Sequence, residues 1–326
     1  MVFRRRRESQ LQIDRLNGDY SREAPSGRRK WTTGGLTPQN GAVAFTIPGR
    51  LATACRSMPG GAAWLLRLPD RLRDLEQRWS LRLGASFDGS CAWVAPVTLA
   101  NGASAVLKLG IPHMESEHEI EGLRFWGGDP TVRLLDADDD LGAMLLEQCD
   151  PGTTLRTLPE PEQDLVIAGL LRRLWRPPVA PHPFRPLSAM TAHWSEETVA
   201  QAERWSDPGL VREGLRLFKE LPQSAPACVL LATDLHAGNV LRARRAPWLV
   251  IDPKPFVGDP AYDATQHLLN CSARLRSDPD RTVRRFADLL SVDHDRVRLW
   301  LFARAAAATH DWNGDSLMDL ARSIAP

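Results

Sequence analysis

In the stretch LRDLEQRWSLRL, Leu72, Leu75, Trp79 and Leu83 fall three and four residues apart, the spacing that puts them on one face of a helix. The pattern changes at CAWVAPVTLANGASAVLKLG. Two apolar runs, residues 91–99 and 103–109, flank the dipeptide Asn101-Gly102, which favours the tight turn of a hairpin. Helical spacing returns in MESEHEIEGLRFWGG, where Ile120, Leu123, Phe125 and Trp126 supply apolar contacts and Gly127-Gly128 end the element. TVRLLDADDDLGAMLLEQC then reads as strand, turn, strand. Residues 42–147 are therefore expected to form a small sheet-rich unit, two hairpins with a helix between them.

After DPGTTL the period becomes 3.6 residues. Helices are expected over residues 165–175, 195–205 and 210–221, each beginning near acidic or capping residues, and again across most of 261–325. Two short apolar runs, 228–231 and 248–251, interrupt this pattern and read as strands, the second placed as a hairpin partner of the first. Residues 148–326 thus form a larger, mainly helical unit. Residues 1–41 are rich in Arg, Ser, Gly and Asn without a sustained apolar period, and read as a disordered basic tail.

Composition narrows the classes. The chain has 326 residues, 43% hydrophobic and 25% charged, as in soluble globular proteins of two units. A net charge of +1 gives no global attraction to nucleic acid or to an anionic membrane. The Arg4–Arg7 run reads as part of a solvated tail. No apolar run approaches the roughly 20 residues needed to span a bilayer, and no apolar segment follows the basic N-terminus to make a secretory signal. The five cysteines are far apart and never paired as CxxC, which favours free thiols in a reducing compartment and a cytoplasmic protein.

The segment LLATDLHAGN holds Asp234 and Asn239 five residues apart, the D-x-x-x-x-N spacing of kinase catalytic loops. Phosphoryl transfer needs a carboxylate to accept the hydroxyl proton and an oxygen ligand for magnesium, and Asp and Asn suit these tasks. Asp, Gly and Asn are also common turn formers, so the pair alone reads as readily as a turn. Asp252, ending the apolar run WLVID, brings a second carboxylate to the same place, where a hard cation prefers oxygen ligands. Lys108 lies mid-strand in SAVLKLG, where an unpaired ammonium is costly, so it needs a carboxylate or phosphate partner. The following helix offers Glu115, Glu117, Glu119 and Glu121. GASFDGSC carries P-loop spacing but has Ser90 where the lysine must stand, so it fails as a Walker motif and remains a glycine-containing turn. DADDDLGAMLLE has the carboxylates of a calcium loop but Leu141 at the position that needs glycine, and it reads as a solvated hairpin turn. Histidine and cysteine spacings suit no zinc site.

With these residues in place, the chain resembles the aminoglycoside phosphotransferases, in particular the branch of streptomycin 6-kinases and hydroxyurea-resistance kinases. The resemblance runs from FTIPGRL to RVRLWLFARAAAA and is most specific over TDLHAGNVLRARRAPWLVIDPKPFVGDPAYDATQHLLN. It implies an α+β, two-lobed protein-kinase-like fold and an ATP- and magnesium-dependent kinase of a small molecule. Asp234 then looks like the catalytic base, with Asn239 and Asp252 as magnesium ligands. Lys108 would hold the ATP phosphates with Glu119 as its partner and Glu121 as the competing choice. Glu147 and Cys149 would lie in the hinge whose backbone meets adenine, and Gly89 and Ser90 would cap the phosphates. The acceptor implied is a hydroxyl of a streptomycin-like aminoglycoside or aminocyclitol. A kinase of an endogenous metabolite, or a nucleotide-binding pseudokinase acting as a binding module, are the alternatives. Two departures stand out: Ala232-Thr233 replaces the His-Gly that precedes the base in many antibiotic kinases, and DPKP replaces D-F-G, which suggests a fixed metal-binding segment. His236 is expected to hold the loop in shape.

Overall fold

The computed structural model describes residues 45–307 and 314–326, so the basic tail of the sequence reading lies outside the described residues. The chain forms two compact units, one ending at Ile111 and the other spanning Pro112–Pro326. This division by compactness falls earlier in the chain than the boundary after residue 147 read from the sequence.

The first unit opens with helices α1 (Gly49–Ser57) and α2 (Gly61–Arg78). Trp64, Leu68, Leu72 and Leu75 recur at helical spacing and are buried along one face of α2. The helix stops short of Leu83. Ser80 has φ 50°, a left-handed conformation that an α-helix cannot continue through, and Leu81–Leu83 form strand β1 instead. Strands β2 (Ala92–Leu99) and β3 (Ser104–Gly110) pair antiparallel around the turn at Asn101-Gly102, with Gly102 at φ 82° as the turn requires. β1 adds antiparallel to β2, so the three strands form a meander. Lys108 lies opposite Val94 and is only 6% exposed.

In the second unit, helix α3 (Glu119–Trp126) ends at Gly127 in a left-handed C-cap, as its glycine pair predicts. The hairpin of β4 (Leu134–Asp138) and β5 (Ala143–Glu147) follows. Its aspartate-rich turn is occupied by the protein itself. Asp138 accepts the Leu141 N–H at 2.9 Å, and Arg124 grips both oxygens of Asp139 at 2.7 and 2.8 Å.

Helices α4 (Glu160–Leu174), α5 (Leu187–Val199), α6 (Pro208–Glu220), α7 (Pro260–Asn270), α8 (Ser272–Ser277), α9 (Pro279–Leu290), α10 (His294–Ala307) and α11 (Gly314–Ser323) build the rest. α5 begins eight positions before the expected start, directly after Pro186, whose ring keeps the helix from extending further back. α10 is the central helix, packed on α6, α7, α9 and α11. Its alanine run has a packing reason. A Cβ on Gly214 of α6 would lie 3.0 Å from the Ala306 Cβ and 3.3 Å from that of Ala307, so the two helices meet through their smallest side chains. Tyr262, Phe218, Phe256, Phe286, Trp300 and Phe302 fill the core around them.

Four short strands carry the polar loops of this unit. β6 (Val229–Leu231) pairs antiparallel with β9 (Phe256–Gly258), and β7 (Val240–Leu241) with β8 (Leu249–Val250). The run at 248–251 therefore pairs with Val240 and Leu241 and not with the strand before Asp234. Strands of two or three residues have no period of their own, so tertiary packing selects their partners.

Candidate active site

The loop between β6 and β7 holds Asp234, His236 and Asn239. β7 and β8 form a hairpin whose register brings Ile251 beside Asn239, the Ile251 N–H donating to the Asn239 carbonyl at 2.9 Å. Asn239 and Asp252 thus stand at one end of this hairpin. The expected meeting of the three residues is found, by a different strand pairing.

Asn239 donates its amide nitrogen twice to Asp234, to the backbone carbonyl at 3.0 Å and to Oδ2 at 3.3 Å. With the nitrogen so used, the amide oxygen is the end left for a ligand. Together with the Asp252 carboxylate it makes an oxygen-only donor pair, which fits a hard cation such as magnesium. Asp252 has φ 54°, and the Lys254 ammonium rests on its Oδ1. Burial alone would lower the lysine pKa, but Asp252, Glu119 and Asp234 outweigh it and hold the group charged.

Asp234 keeps 32% side-chain exposure, yet its enclosure raises its pKa to about 7. Lys254 opposes this shift, and Asp252 and Glu115 add to it. Its Oδ1 accepts the Gln266 side-chain N–H at 2.6 Å. His236 shapes the loop as expected: its Nδ1 accepts the Gly238 N–H at 2.9 Å. Burial, with Arg156 nearby, pushes its pKa down to about 3, so the ring is neutral. Gly238 is required here, since a Cβ would sit 2.7 Å from the His236 ring and 2.9 Å from Arg156 Nε.

Helix α7 supports this loop from behind. Asp263, Gln266 and Asn270 lie at i, i+3 and i+7, on one face. Asp263 accepts the N–H groups of Ala232 at 3.0 Å and Thr233 at 2.8 Å, and that of the Trp175 indole at 3.0 Å. Asn270 accepts from Arg156 at 3.3 Å, and Arg156 reaches His236 at 3.5 Å. These contacts also account for Ala232-Thr233. Thr233 has φ 45°, a conformation glycine takes freely, and its hydroxyl donates to the Lys254 carbonyl at 2.7 Å to hold it.

Of the remaining sequence candidates, Glu119 is 2% exposed, whereas the Glu121 side chain is 34% exposed, so Glu119 is the buried one of the pair. Glu147 ends β5; its N–H donates to the Arg133 carbonyl at 2.9 Å, and its carboxylate is held by Arg245 at 2.8 Å. Burial and Glu147 push the Cys149 thiol up to about 11. In the first unit, Gly89 and Ser90 occupy the loop between β1 and β2, where the Ser90 hydroxyl lies 3.6 Å from the Cys91 sulfur. Asp259 and Asp263 are 0% and 1% exposed, and Asp259 accepts the Ala261 N–H and the Trp300 indole. Sequence reasoning missed Lys254, Gln266, Arg156 and Asn270. The polar stripe in an otherwise apolar α7 was the available signal.

Asp164, His267 and Cys271 also cluster closely enough to hold a metal ion. Arg274 already occupies both Asp164 oxygens at 2.6 and 2.7 Å, and burial pushes the Cys271 thiol up to about 12, so this is a buried ion cluster of the fold.

An α+β chain with a D-x-x-x-x-N loop and a further aspartate at the end of the adjoining hairpin has the residue pattern of kinases of the protein-kinase-like fold. Solved structures agree on that fold. The choline kinase LicA from Streptococcus pneumoniae matches with a TM-score of 0.57 at 12% identity, covering 78% of this chain and 97% of that one. The Plasmodium vivax ethanolamine kinase matches with a TM-score of 0.53 at 11% identity, covering 76% and 83%. The chain belongs to the aminoglycoside/hydroxyurea antibiotic resistance kinase family, whose model matches residues 78–316. It is 38% identical over 271 residues to the streptomycin 6-kinase of Streptomyces griseus, covering 79% of this chain and 88% of that protein. It is 36% identical over 255 residues to the hydroxyurea phosphotransferase of Kitasatospora aureofaciens, covering 75% and 74%. Membership implies ATP as the phosphoryl donor. No helix among the described residues is long and apolar enough to cross a membrane.

Proposed function

We propose that the chain transfers the γ-phosphoryl group of ATP to a hydroxyl of a streptomycin-like aminoglycoside, inactivating the drug. The observation that carries the reading is the hydrogen bonding of Asn239 to Asp234, which ties the base to a ligand of the metal. Asp234 takes the proton of the attacking hydroxyl. A carboxylate raised toward neutrality is a stronger base than a solvated one, and its remaining lone pairs accept that proton while Asn239 and Gln266 hold the group still. Asn239 and Asp252 would hold magnesium, whose charge offsets that building up on the phosphates. Lys108 and Glu119 would take the roles of the phosphate-binding lysine and its carboxylate, Gly89 and Ser90 that of the phosphate-capping turn, and the backbone of Glu147 and Cys149 that of the adenine-binding hinge. These last roles rest on the family resemblance. The added phosphate brings about −1.5 to −2 charge to a cationic drug, enough to spoil recognition by its target.

The test is ADP release in the presence of ATP and magnesium over streptomycin, other aminoglycosides, hydroxyurea and simple sugars. Turnover is expected with streptomycin and is lost in Asp234→Ala. Turnover that survives that substitution unchanged would refute the mechanism, and turnover confined to sugars would refute the acceptor.

A further inference from the structure

Arg304 comes from the central helix α10, seventy residues after the catalytic loop, yet it ends two hydrogen bonds away from Asp234. Its side chain is buried at 5% exposure. Nη1 donates to the Thr265 hydroxyl at 2.8 Å and Nη2 to the Gln266 Oε1 at 2.6 Å. The guanidinium lies against the rings of Trp194 and Tyr262, 5.7 and 5.3 Å from their centroids, which fixes its plane. Gln266, 6% exposed, then donates its Nε2 to the Asp234 Oδ1 at 2.6 Å.

We propose that Arg304 and Gln266 form a positioning relay that sets the rotation of the Asp234 carboxylate; the proposal rests on Asp234 being the base of the phosphotransferase. A glutamine amide can turn by half a rotation and exchange its oxygen and nitrogen with little change of shape. Arginine only donates, so the end facing Arg304 must be the oxygen. An ionised carboxylate only accepts, so the end facing Asp234 must be the nitrogen. The chain Arg304 to Gln266 to Asp234 therefore has a single direction, and the arginine imposes it.

The consequence for Asp234 is that each of its oxygens has one donor from the protein, Gln266 on Oδ1 and Asn239 on Oδ2. That fixes the carboxylate plane and leaves one acceptor direction per oxygen for a substrate hydroxyl. Without Gln266 the group can rotate about its bond to Cβ, with Asn239 as its remaining side-chain tether. A misplacement of about 1 Å in a reacting group costs on the order of 100-fold in rate. Gln266 and Arg304 touch neither the acceptor nor the phosphates in this scheme. They act through Asp234.

The experiment measures ADP release with ATP, magnesium and streptomycin in four chains: wild type, Gln266→Leu, Asp234→Ala and the double variant. Gln266→Leu keeps the volume and removes the hydrogen bonds. It is expected to lower kcat by about 10- to 100-fold, with KM for ATP changed by less than about twofold, as for an interaction made at the reacting centre only. In the Asp234→Ala background the same change should leave the residual rate within about twofold, since a group acting through Asp234 has nothing left to act on. Gln266→Glu keeps an acceptor for Arg304 but sets a second carboxylate against Asp234, where the two repel or share a proton, and it should lose at least as much kcat. Equal proportional losses in both backgrounds, or an unaltered kcat in Gln266→Leu, would overturn the relay. Failure of the broader reading is distinct from this: a wild-type chain no faster than Asp234→Ala with any acceptor, water included, removes the base and the relay with it.

Discussion

Lys254 places its ammonium on a carboxylate oxygen of Asp252, two residues away along the chain. The aspartate proposed to bind magnesium is thus in direct contact with a buried lysine, and the two cations would share its charge. Lys254 is 6% exposed and is surrounded by Asp252, Glu119 and Asp234, so it neutralises a cluster that would otherwise repel itself.

Replacing Lys254 with methionine should therefore lower the stability of the metal-free protein by about 1–3 kcal/mol, the cost of leaving a buried partner unpaired. Magnesium should restore more of the melting temperature in Lys254→Met than it adds to the wild type, because the cation takes over the neutralising role. Melting curves with and without magnesium chloride check this. Equal magnesium increments in the two proteins would show that Lys254 and the metal do not share a site.

Asp263 holds the start of the loop that carries Asp234. Its carboxylate is pushed up to about 6 by burial, against the pull of the Trp175 indole and two backbone N–H groups. In Asp263→Ala these three donors lose their acceptor inside the protein. Each orphaned donor costs about 1–3 kcal/mol, so a loss of at least about 3 kcal/mol is expected, with kcat falling more than KM rises. Asp263→Asn with its carbonyl in the place of Oδ2 keeps an acceptor for Ala232 and Trp175, leaves only the Thr233 N–H without one, and should lose about a third as much. Urea unfolding together with steady-state kinetics measures both effects.

Thr233 occupies a left-handed backbone position, which costs a β-branched residue about 1–3 kcal/mol. Its hydroxyl bond to Lys254 offsets the strain. Thr233→Gly removes strain and bond together and should stay within about 1 kcal/mol of the wild type. Thr233→Val keeps the strain and strands a buried carbonyl, at a cost of about 1–3 kcal/mol. The expected order of unfolding midpoints is thus glycine above valine, and the reverse order would mean that the hydroxyl does nothing.

These residues also show what the sequence could and could not reveal. That Asp234, Asn239 and Asp252 come together was legible because their spacing is local and their chemistry is restrictive. The hairpin at Asn101-Gly102 was legible because its turn chemistry is specific. The partner of strand β8 was not, since two residues carry no register information. Asp263 and Gln266 were hidden for another reason. In a helix, an acidic or amide residue reads as solvated, and only the fold shows that this face of α7 turns toward a loop some thirty residues earlier in the chain. The strain at Thr233 is invisible in any composition, because a threonine is chosen there for its hydroxyl and tolerated in spite of its backbone.

The buried cluster around Asp164 gives the fold a definite response to acid. Asp164 is 0% exposed and accepts from Arg274 through both oxygens, from Arg285 at 3.1 Å and from the His267 ring at 2.9 Å. Burial alone would raise its pKa, but Arg274 and His267 outweigh it and hold the group well below the usual carboxylate range. A carboxyl whose folded pKa is depressed binds fewer protons folded than unfolded. Its stabilisation is therefore complete above the unfolded value of about 3.9 and is lost as pH falls below that. Asp164→Asn should cost about 3 kcal/mol at pH 7, since it leaves guanidinium groups of partial exposure without their anion. The difference between wild type and variant should be flat from pH 7 to about 5 and then shrink steadily below about pH 4, as the carboxyl of the unfolded wild-type chain takes up its proton while the folded one stays ionised. Urea unfolding at several pH values measures this directly. A gap that stays constant down to pH 3 would mean that Asp164 contributes by shape and not by charge.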